Sequence, residues 1–318
     1  MIEYAINQHL TGSYEWLNNR PVFVNMSGGK DSTAVALFLR EAGIKFTPIF
    51  ADTGWEHTDT YRYISEVLEP IFGKFIRVRN DKYFKQDDEW LGGMEQAIRK
   101  QGIFPSGVAR WCTRELKIIP LQNFYCDLFT HLKKKPVTCI GIRADESHKR
   151  SKLAETDEKD ESTIYRPILS WSTEDVINIH TKYNLKPNPL YLRGMLRVGC
   201  FPCIHTTKPQ LRVLTKLYPE RFDRINILEN RVNDMREERG RKRDATFFYS
   251  RRADRRPMPV DEIVEWCKTD RKGRLYEDED RLENNGCLSW GLCEPLIKSG
   301  DQLELFKIGE PNDRNTKS

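Results

Sequence analysis

Three groups of residues in this 318-residue chain have the types and spacing to do chemistry. The first is the run Ser27-Gly28-Gly29-Lys30-Asp31-Ser32. Adjacent glycines let the backbone turn sharply and present N–H groups to a phosphate, and a helix starting there adds the positive end of its dipole. The serines offer hydroxyl donors and Lys30 a point charge. The spacing is not that of a Walker loop, whose glycines stand further apart, and taken alone the run reads equally well as an ordinary strand-to-helix turn. The second group is Cys200 and Cys203 in GCFPC, where one backbone turn can offer two thiolates to a single metal or cluster. That pair alone leaves zinc, an iron–sulfur cluster and a redox disulfide open. The third is residues 231–256, with ten basic and five acidic side chains around an aromatic trio. It suits contact with a phosphate backbone, and it suits equally a solvated helix face laced with opposite charges.

The elements that must position these groups follow from the apolar pattern. PVFVNM (21–26) is a short apolar run ending at the glycine pair, and TAVALFLREAG carries apolar residues at helical spacing with Gly43 as a stop. Strand, phosphate loop and helix are expected in that order. Further strands are expected at 46–51, 74–79 and 136–142, with helices at about 58–70 and about 114–131. Such alternation implies an α/β fold, a parallel sheet with helices on both faces. Residues 83–111 read as a long irregular excursion of the kind that forms lids. Residues 151–163, polar and charge-rich, read as a mobile loop. In WSTEDVINIHTKYN, Ser172 or Thr173 ahead of Glu174 and Asp175 is a helix-start pattern. From about 205 onward the pattern is mainly helical, with EPNDRNTKS as a frayed tail, so the expected division is 1–204 and 205–318.

At 38% hydrophobic residues the chain can bury a core, and its formal charge of +5 is mild. No segment approaches the roughly 18 to 20 unbroken apolar residues of a membrane helix, and the start of the chain lacks a basic-then-apolar signal. A cytoplasmic location without membrane contact is expected. Eight cysteines then point to metal or redox chemistry rather than disulfide staples. Cys126, Cys139 and Cys267 sit in apolar contexts and read as core thiols.

The string SGGKDS at the end of the first strand resembles the pyrophosphate (PP) loop of the superfamily that joins ATP pyrophosphatases to phosphoadenylyl-sulfate (PAPS) reductases. FADTGWEHTDTY (50–61), RWCTRELKIIPL (110–121), GIRADESHKR (141–150) and NPLYLRGMLRVGCFPC (188–203) resemble successive motifs of the PAPS reductase branch, in the right order. The resemblance implies an adenine nucleotide alpha hydrolase-like fold and a site for ATP. It puts Ser27, Gly28, Gly29, Lys30, Asp31 and Ser32 around the phosphates. Asp52 and Thr53 fall near the ribose or a magnesium ion, a cation that takes hard oxygen ligands. Gly141, Arg143, Asp145, Glu146 and Arg150 close over the nucleotide, with Lys30, Asp31, Arg143 and Arg150 as the catalytic set.

Adenylyl-sulfate reductases of this branch hold a [4Fe-4S] cluster on a cysteine pair plus a later CxxC. Laid on that pattern, Cys112 falls on the first of the paired cysteines and Thr113 on the second. The resemblance therefore implies Cys112, Cys200 and Cys203 as ligands. A fourth comes from CLSWGLCE, with Cys293 ahead of Cys287. The reductases also resemble one another in a C-terminal glutamate-cysteine-glycine nucleophile followed by histidine, and here CLSWGLCE has the wrong order and no histidine follows His205. That departure shifts the expectation to an ATP pyrophosphatase. It would adenylate an acceptor so that a persulfide, supplied by a cysteine desulfurase, or a cluster-bound sulfide displaces AMP. The relatives this implies are the DNA phosphorothioation ATP pyrophosphatases and, more distantly, tRNA thiolation enzymes, so the expected partner is nucleic acid, DNA ahead of tRNA. The alternatives are reduction of PAPS or adenylyl-sulfate, and a non-catalytic nucleotide-sensing subunit.

Overall fold

In the computed structural model, residues 14–85, 87, 89–241, 244–248, 257–269 and 290 are described. Six strands form one sheet: β1 (Val22–Asn25), β2 (Thr47–Ala51), β3 (Ile76–Val78), β4 (Val137–Ile140), β5 (Thr156–Glu158) and β6 (Thr163–Tyr165). Their order is β3-β2-β1-β4-β6-β5, and every pairing is parallel except β5 with β6. The named helices are α1 (Lys30–Glu41), α2 (Met94–Gln101), α3 (Ile119–Leu132), α4 (Thr173–Lys182), α5 (Lys208–Leu217), α6 (Pro219–Glu238) and α7 (Val260–Cys267). A helical run also covers Thr58–Arg62, Tyr63–Leu68 and Glu69–Phe72, its middle part a π-helix.

The alternation of side chains along β1 builds two cores at once. Val22 and Val24 point into a cluster with Val35, Leu39, Phe50, Ile64, Trp171 and Val176, under α1 and α4. Phe23, between them, points the other way, to Ile49 and Tyr125 beneath α3. Both faces of the sheet are thus covered, as the continuous apolar reading of its strands requires. A third cluster joins Trp55, Met94, Leu190 and Tyr191 to Phe247 and to Leu211, Phe222 and Ile263 of the later helices.

β1 lies between β2 and β4, with Asn25 opposite Ile49 and Ile140. Strand order reverses here, so the loops after these strands diverge above and below the sheet and leave a crevice at their carboxyl ends. At the start of α4 the Ser172 hydroxyl accepts the N–H of Asp175 at 3.1 Å, and the Asp175 carboxylate accepts the N–H of Ser172 at 2.7 Å. Ser172, not Thr173, is therefore the cap.

Three expectations are corrected. Residues 151–163 are not a loop throughout: Thr156–Glu158 is an antiparallel edge strand, concealed in the sequence because an edge strand can be charged on both faces. The excursion 83–111 contains α2, bounded by Gly93 and by Gly102, whose φ of 62° ends the helix. Cys126 is exposed on α3 and is not a core thiol, whereas Cys139 and Cys267 are buried.

Candidate active site

The loop between β1 and α1 is held from behind by residues far away in the sequence. Gly28 has φ 74°, and a Cβ there would lie 3.0 Å from the Thr60 methyl group, so glycine is needed for both conformation and space. The buried Asn188 side chain donates to the Gly28 carbonyl at 3.2 Å and to the Thr60 hydroxyl at 3.3 Å. The Tyr191 hydroxyl accepts the backbone N–H of Lys30 at 3.0 Å. Within the loop, the Ser32 and Thr33 hydroxyls both donate to the Gly29 carbonyl at 3.0 Å. At the end of β4, a Cβ on Gly141 would stand 2.6 Å from the Asp31 carbonyl carbon, so only glycine lets this strand end meet the helix start.

Charge converges on the same helix end. The Asp31 carboxylate accepts from Lys30 Nζ at 2.8 Å and from Arg143 Nε at 2.7 Å. Arg143 is only 4% exposed and also donates to Asp145 at 2.6 Å. Burial opposes its charge, and Asp31 and Asp145 more than offset that, leaving its pKa raised. Glu146 accepts the Arg143 backbone N–H at 3.1 Å and pairs with Arg150. Ser27, Gly29, Lys30, Asp31, Ser32, Gly141, Arg143, Glu146 and Arg150 line one cavity of about 470 Å³, within the range of small-molecule sites. Tyr191, Met195, Leu196, Arg197, Val198 and Trp290 line it too.

Other expected site residues lie outside that lining. Gly28 is tucked against Thr60, and Asp145 braces Arg143. Asp52 accepts the Tyr61 hydroxyl at 2.7 Å and the Gly54 N–H at 2.9 Å. The Thr53 hydroxyl donates at 2.7 Å to the buried Glu56. Burial, then the Glu56 and Asp52 carboxylates, push the Tyr61 pKa up, so its phenol remains a donor.

Glu56 forms a bridge with Cys200, and the Phe201 N–H donates to the Trp55 carbonyl at 2.7 Å, which seats GCFPC against the end of β2. Cys112, Cys200 and Cys203 are brought within electrostatic reach of one another, with Lys117 beside them. Burial raises the thiol pKa of Cys112 and Cys200. Among the described residues no group of three or more His, Cys, Asp or Glu is arranged to hold a metal. Cys287 and Cys293 lie outside the described residues.

Part of the basic stretch is engaged with the protein itself. Arg231 donates to the Glu89 carbonyl, and Arg236 to the Gly102 carbonyl at 3.2 Å. Residues 242–243 and 249–256 lie outside the described residues.

Asn188, Tyr191, Glu56 and Trp290 were missed by sequence reasoning as site residues. NPLY carried the only available signal for the first two, since an Asn-Pro pair opening a helical turn places a side-chain cap beside an aromatic residue.

The sequence profile of the phosphoadenosine phosphosulfate reductase domain matches residues 21–206. This chain belongs to that family. It is 31% identical over 313 residues to an uncharacterised 37.8 kDa protein of Escherichia phage 186, covering 80% of this chain and 90% of the relative. An uncharacterised protein of Methanocaldococcus jannaschii is 26% identical over 68% of this chain, which spans 42% of that relative. An adenosine 5′-phosphosulfate reductase of Bacillus pumilus is 27% identical over 49% of this chain, which spans 61% of that enzyme. As a PAPS reductase family member the chain is a nucleotide-binding protein of the PP-loop superfamily, and its cavity lies where that loop meets the arginine-rich segment after β4. Among the described residues no helix is long and apolar enough to cross a membrane.

Cys112, Cys200 and Cys203 supply soft donors, but among the described residues they are not arranged as a metal site. Three thiols are neighbours, and the indole N–H of Trp111, adjacent to Cys112, is buried without a hydrogen-bond partner. A buried donor left unmet is costly.

Proposed function

We propose that the chain is an ATP pyrophosphatase that adenylates an acceptor for sulfur transfer, the acceptor being nucleic acid and DNA ahead of tRNA. The observation that carries this reading is the convergence of Lys30, Arg143 and Arg150 on one cavity at the amino end of α1. An acceptor oxygen attacks the α-phosphorus of ATP, the α–β bridging bond breaks, and pyrophosphate leaves with that bond's electrons. Lys30, Arg143, Arg150 and the free N–H groups of the loop stabilise the charge that develops on the leaving group. Lys30 is poised to change partners, because its ammonium rests on Asp31 and a phosphate oxygen is a competing anion. Asp31 holds Arg143 in place. Magnesium would neutralise the pyrophosphate, with Asp31 and Glu146 in the cavity lining and Asp52 at the end of β2 as the candidate hard oxygen donors.

The terminal sulfur of a persulfide then attacks the atom that carries the adenylated oxygen, phosphorus in a DNA phosphodiester or carbon in a tRNA base. AMP leaves with that oxygen, and a second thiol cleaves the resulting S–S bond, so that the sulfur stays on the acceptor and the two carrier thiols end as a disulfide. Cys112, Cys200 and Cys203 would hold the family's [4Fe-4S] cluster, which would supply a soft, sulfur-binding iron site. A cysteine desulfurase would supply the sulfur.

The test is to mix the full chain with ATP, magnesium, double-stranded DNA, and cysteine with a cysteine desulfurase, and to measure pyrophosphate and DNA-bound sulfur. Pyrophosphate release lost in Lys30→Ala supports the reading. Reduction of a sulfonucleotide is the second reading, favoured by the similarity to the Bacillus pumilus reductase. Sulfite formed from PAPS or adenylyl-sulfate with thioredoxin, without pyrophosphate release, replaces the first reading with it.

A further inference from the structure

Trp290 lies far beyond residues 21–206, yet it lines the cavity at the phosphate loop. Its ring centroid is 5.9 Å from that of Tyr191, at 44° between planes, and 5.2 Å from that of His180, edge to face. Tyr191 is the residue whose hydroxyl accepts the Lys30 N–H. One aromatic ring therefore separates Trp290 from the phosphate loop. The lining is mixed in character: Ser27, Lys30, Arg143 and Arg150 offer charge and hydrogen bonds, while Ile177, Met195, Leu196 and Trp290 offer apolar surface. A ligand that uses both kinds of surface carries phosphate and a flat apolar group.

We propose that Trp290 is a specificity-determining residue of this site, the wall against which the purine base of the bound nucleotide packs while its phosphates lie on residues 27–32. The inference rests on the nucleotide reading above and adds which residue meets the base. His180 supports the indole from behind. Burial holds the His180 pKa down at about 4, and its Nδ1 is 2.7 Å from the Val176 carbonyl, so at neutral pH it is an uncharged, fixed ring. The C-terminal third of the chain, which the family profile does not cover, would thereby take part in selecting the nucleotide.

The experiment is a calorimetric titration of the full chain and its Trp290→Ala and Trp290→Phe variants with ATP and, separately, with inorganic pyrophosphate. Loss of a base-stacking aromatic predicts that Trp290→Ala weakens ATP binding about tenfold, leaves pyrophosphate binding unchanged, and is largely rescued by Trp290→Phe. Equal weakening toward both ligands would make Trp290 a prop for Tyr191 and overturn the proposal, as would unchanged ATP binding. Oxidative footprinting of the wild-type chain gives a readout that survives a misfolded variant: ATP protects Trp290 and pyrophosphate does not, and protection by neither or by both counts against the proposal. A wild-type chain that binds pyrophosphate but not ATP removes the nucleotide reading, whereas ATP binding indifferent to Trp290 removes only this inference.

Discussion

The Tyr191 hydroxyl accepts the backbone N–H of Lys30 at 3.0 Å, joining residues 161 positions apart. One of the amides at the start of α1 is therefore spent on the protein and not on a ligand, and it fixes the direction of those that remain. Tyr191→Phe keeps the ring and removes the acceptor. It is expected to cost about 1–3 kcal/mol, the price of an unmet buried N–H, in urea unfolding, and to weaken pyrophosphate binding because the loop loses its brace.

Gly141→Ala should abolish nucleotide binding while much of the sheet persists. The added Cβ would stand 2.6 Å from backbone carbon of Asp31 and 2.7 Å from the N of Ser32, neither of which can rotate away as a side chain can. Retained far-UV circular dichroism with at least about tenfold weaker ATP binding, or 1.4 kcal/mol, is the expected pair of results.

Asp31→Asn removes the carboxylate shared by Lys30 and Arg143. Charged hydrogen bonds of this kind support a loss of about 2 kcal/mol in the ligand-free chain. Pyrophosphate should recover part of it, since an anion that binds only the folded state replaces the missing charge. Melting temperature measured with and without pyrophosphate checks both statements.

Glu229 predicts a pH dependence. Its buried carboxylate accepts the N–H of Phe247 at 2.7 Å and of Val260 at 2.8 Å, tying α6 to the start of α7. Burial is the main cause that raises its pKa from 4.5 to about 7, with Asp261 adding and the two N–H groups opposing. A folded-state pKa above the unfolded one gives stability that is complete below about 4.5 and is lost as pH rises through about 7. The loss has a ceiling of roughly 3 kcal/mol. Stability should therefore fall from acid to neutral pH in the wild-type chain, and Glu229→Gln should flatten that part of the profile in chemical denaturation.

The metal expectation has its own readout. Iron and acid-labile sulfide of anaerobically purified protein should fall in Cys112→Ser, Cys200→Ser and Cys203→Ser, whereas Cys126→Ser, at an exposed site, should leave them unchanged. Wild-type protein free of iron and sulfide would refute the cluster, and zinc in its place would keep the ligands but change the chemistry.

Much of the sheet was legible because its signals are local: apolar runs such as Val22–Val24 and Ile49–Phe50 sit a few residues from the glycines and helices they imply. The edge strand Thr156–Glu158 was not, because its stability comes from pairing with Thr163–Tyr165 and from ion pairs such as Lys135–Glu158, and nothing apolar marks it. Cys126 misled because an apolar helix context does not say which face a residue occupies. Lys30 and Arg143 were legible as candidates from their motifs. Asn188, Tyr191 and Trp290 were not, since their work is done across long sequence separations that no local pattern records.

Cys139 is fully buried in β4, opposite Val24 on one side and Tyr165 on the other. Burial drives its thiol pKa far up, so it is protonated as well as shielded. Its side chain lies in the cluster beneath α1 and α4, so an alkylating reagent reaches it when those helices come away from the sheet. The sheet thus contains its own clock: the rate of modification at Cys139, read beside that of exposed Cys126, times how often this face of the sheet is uncovered.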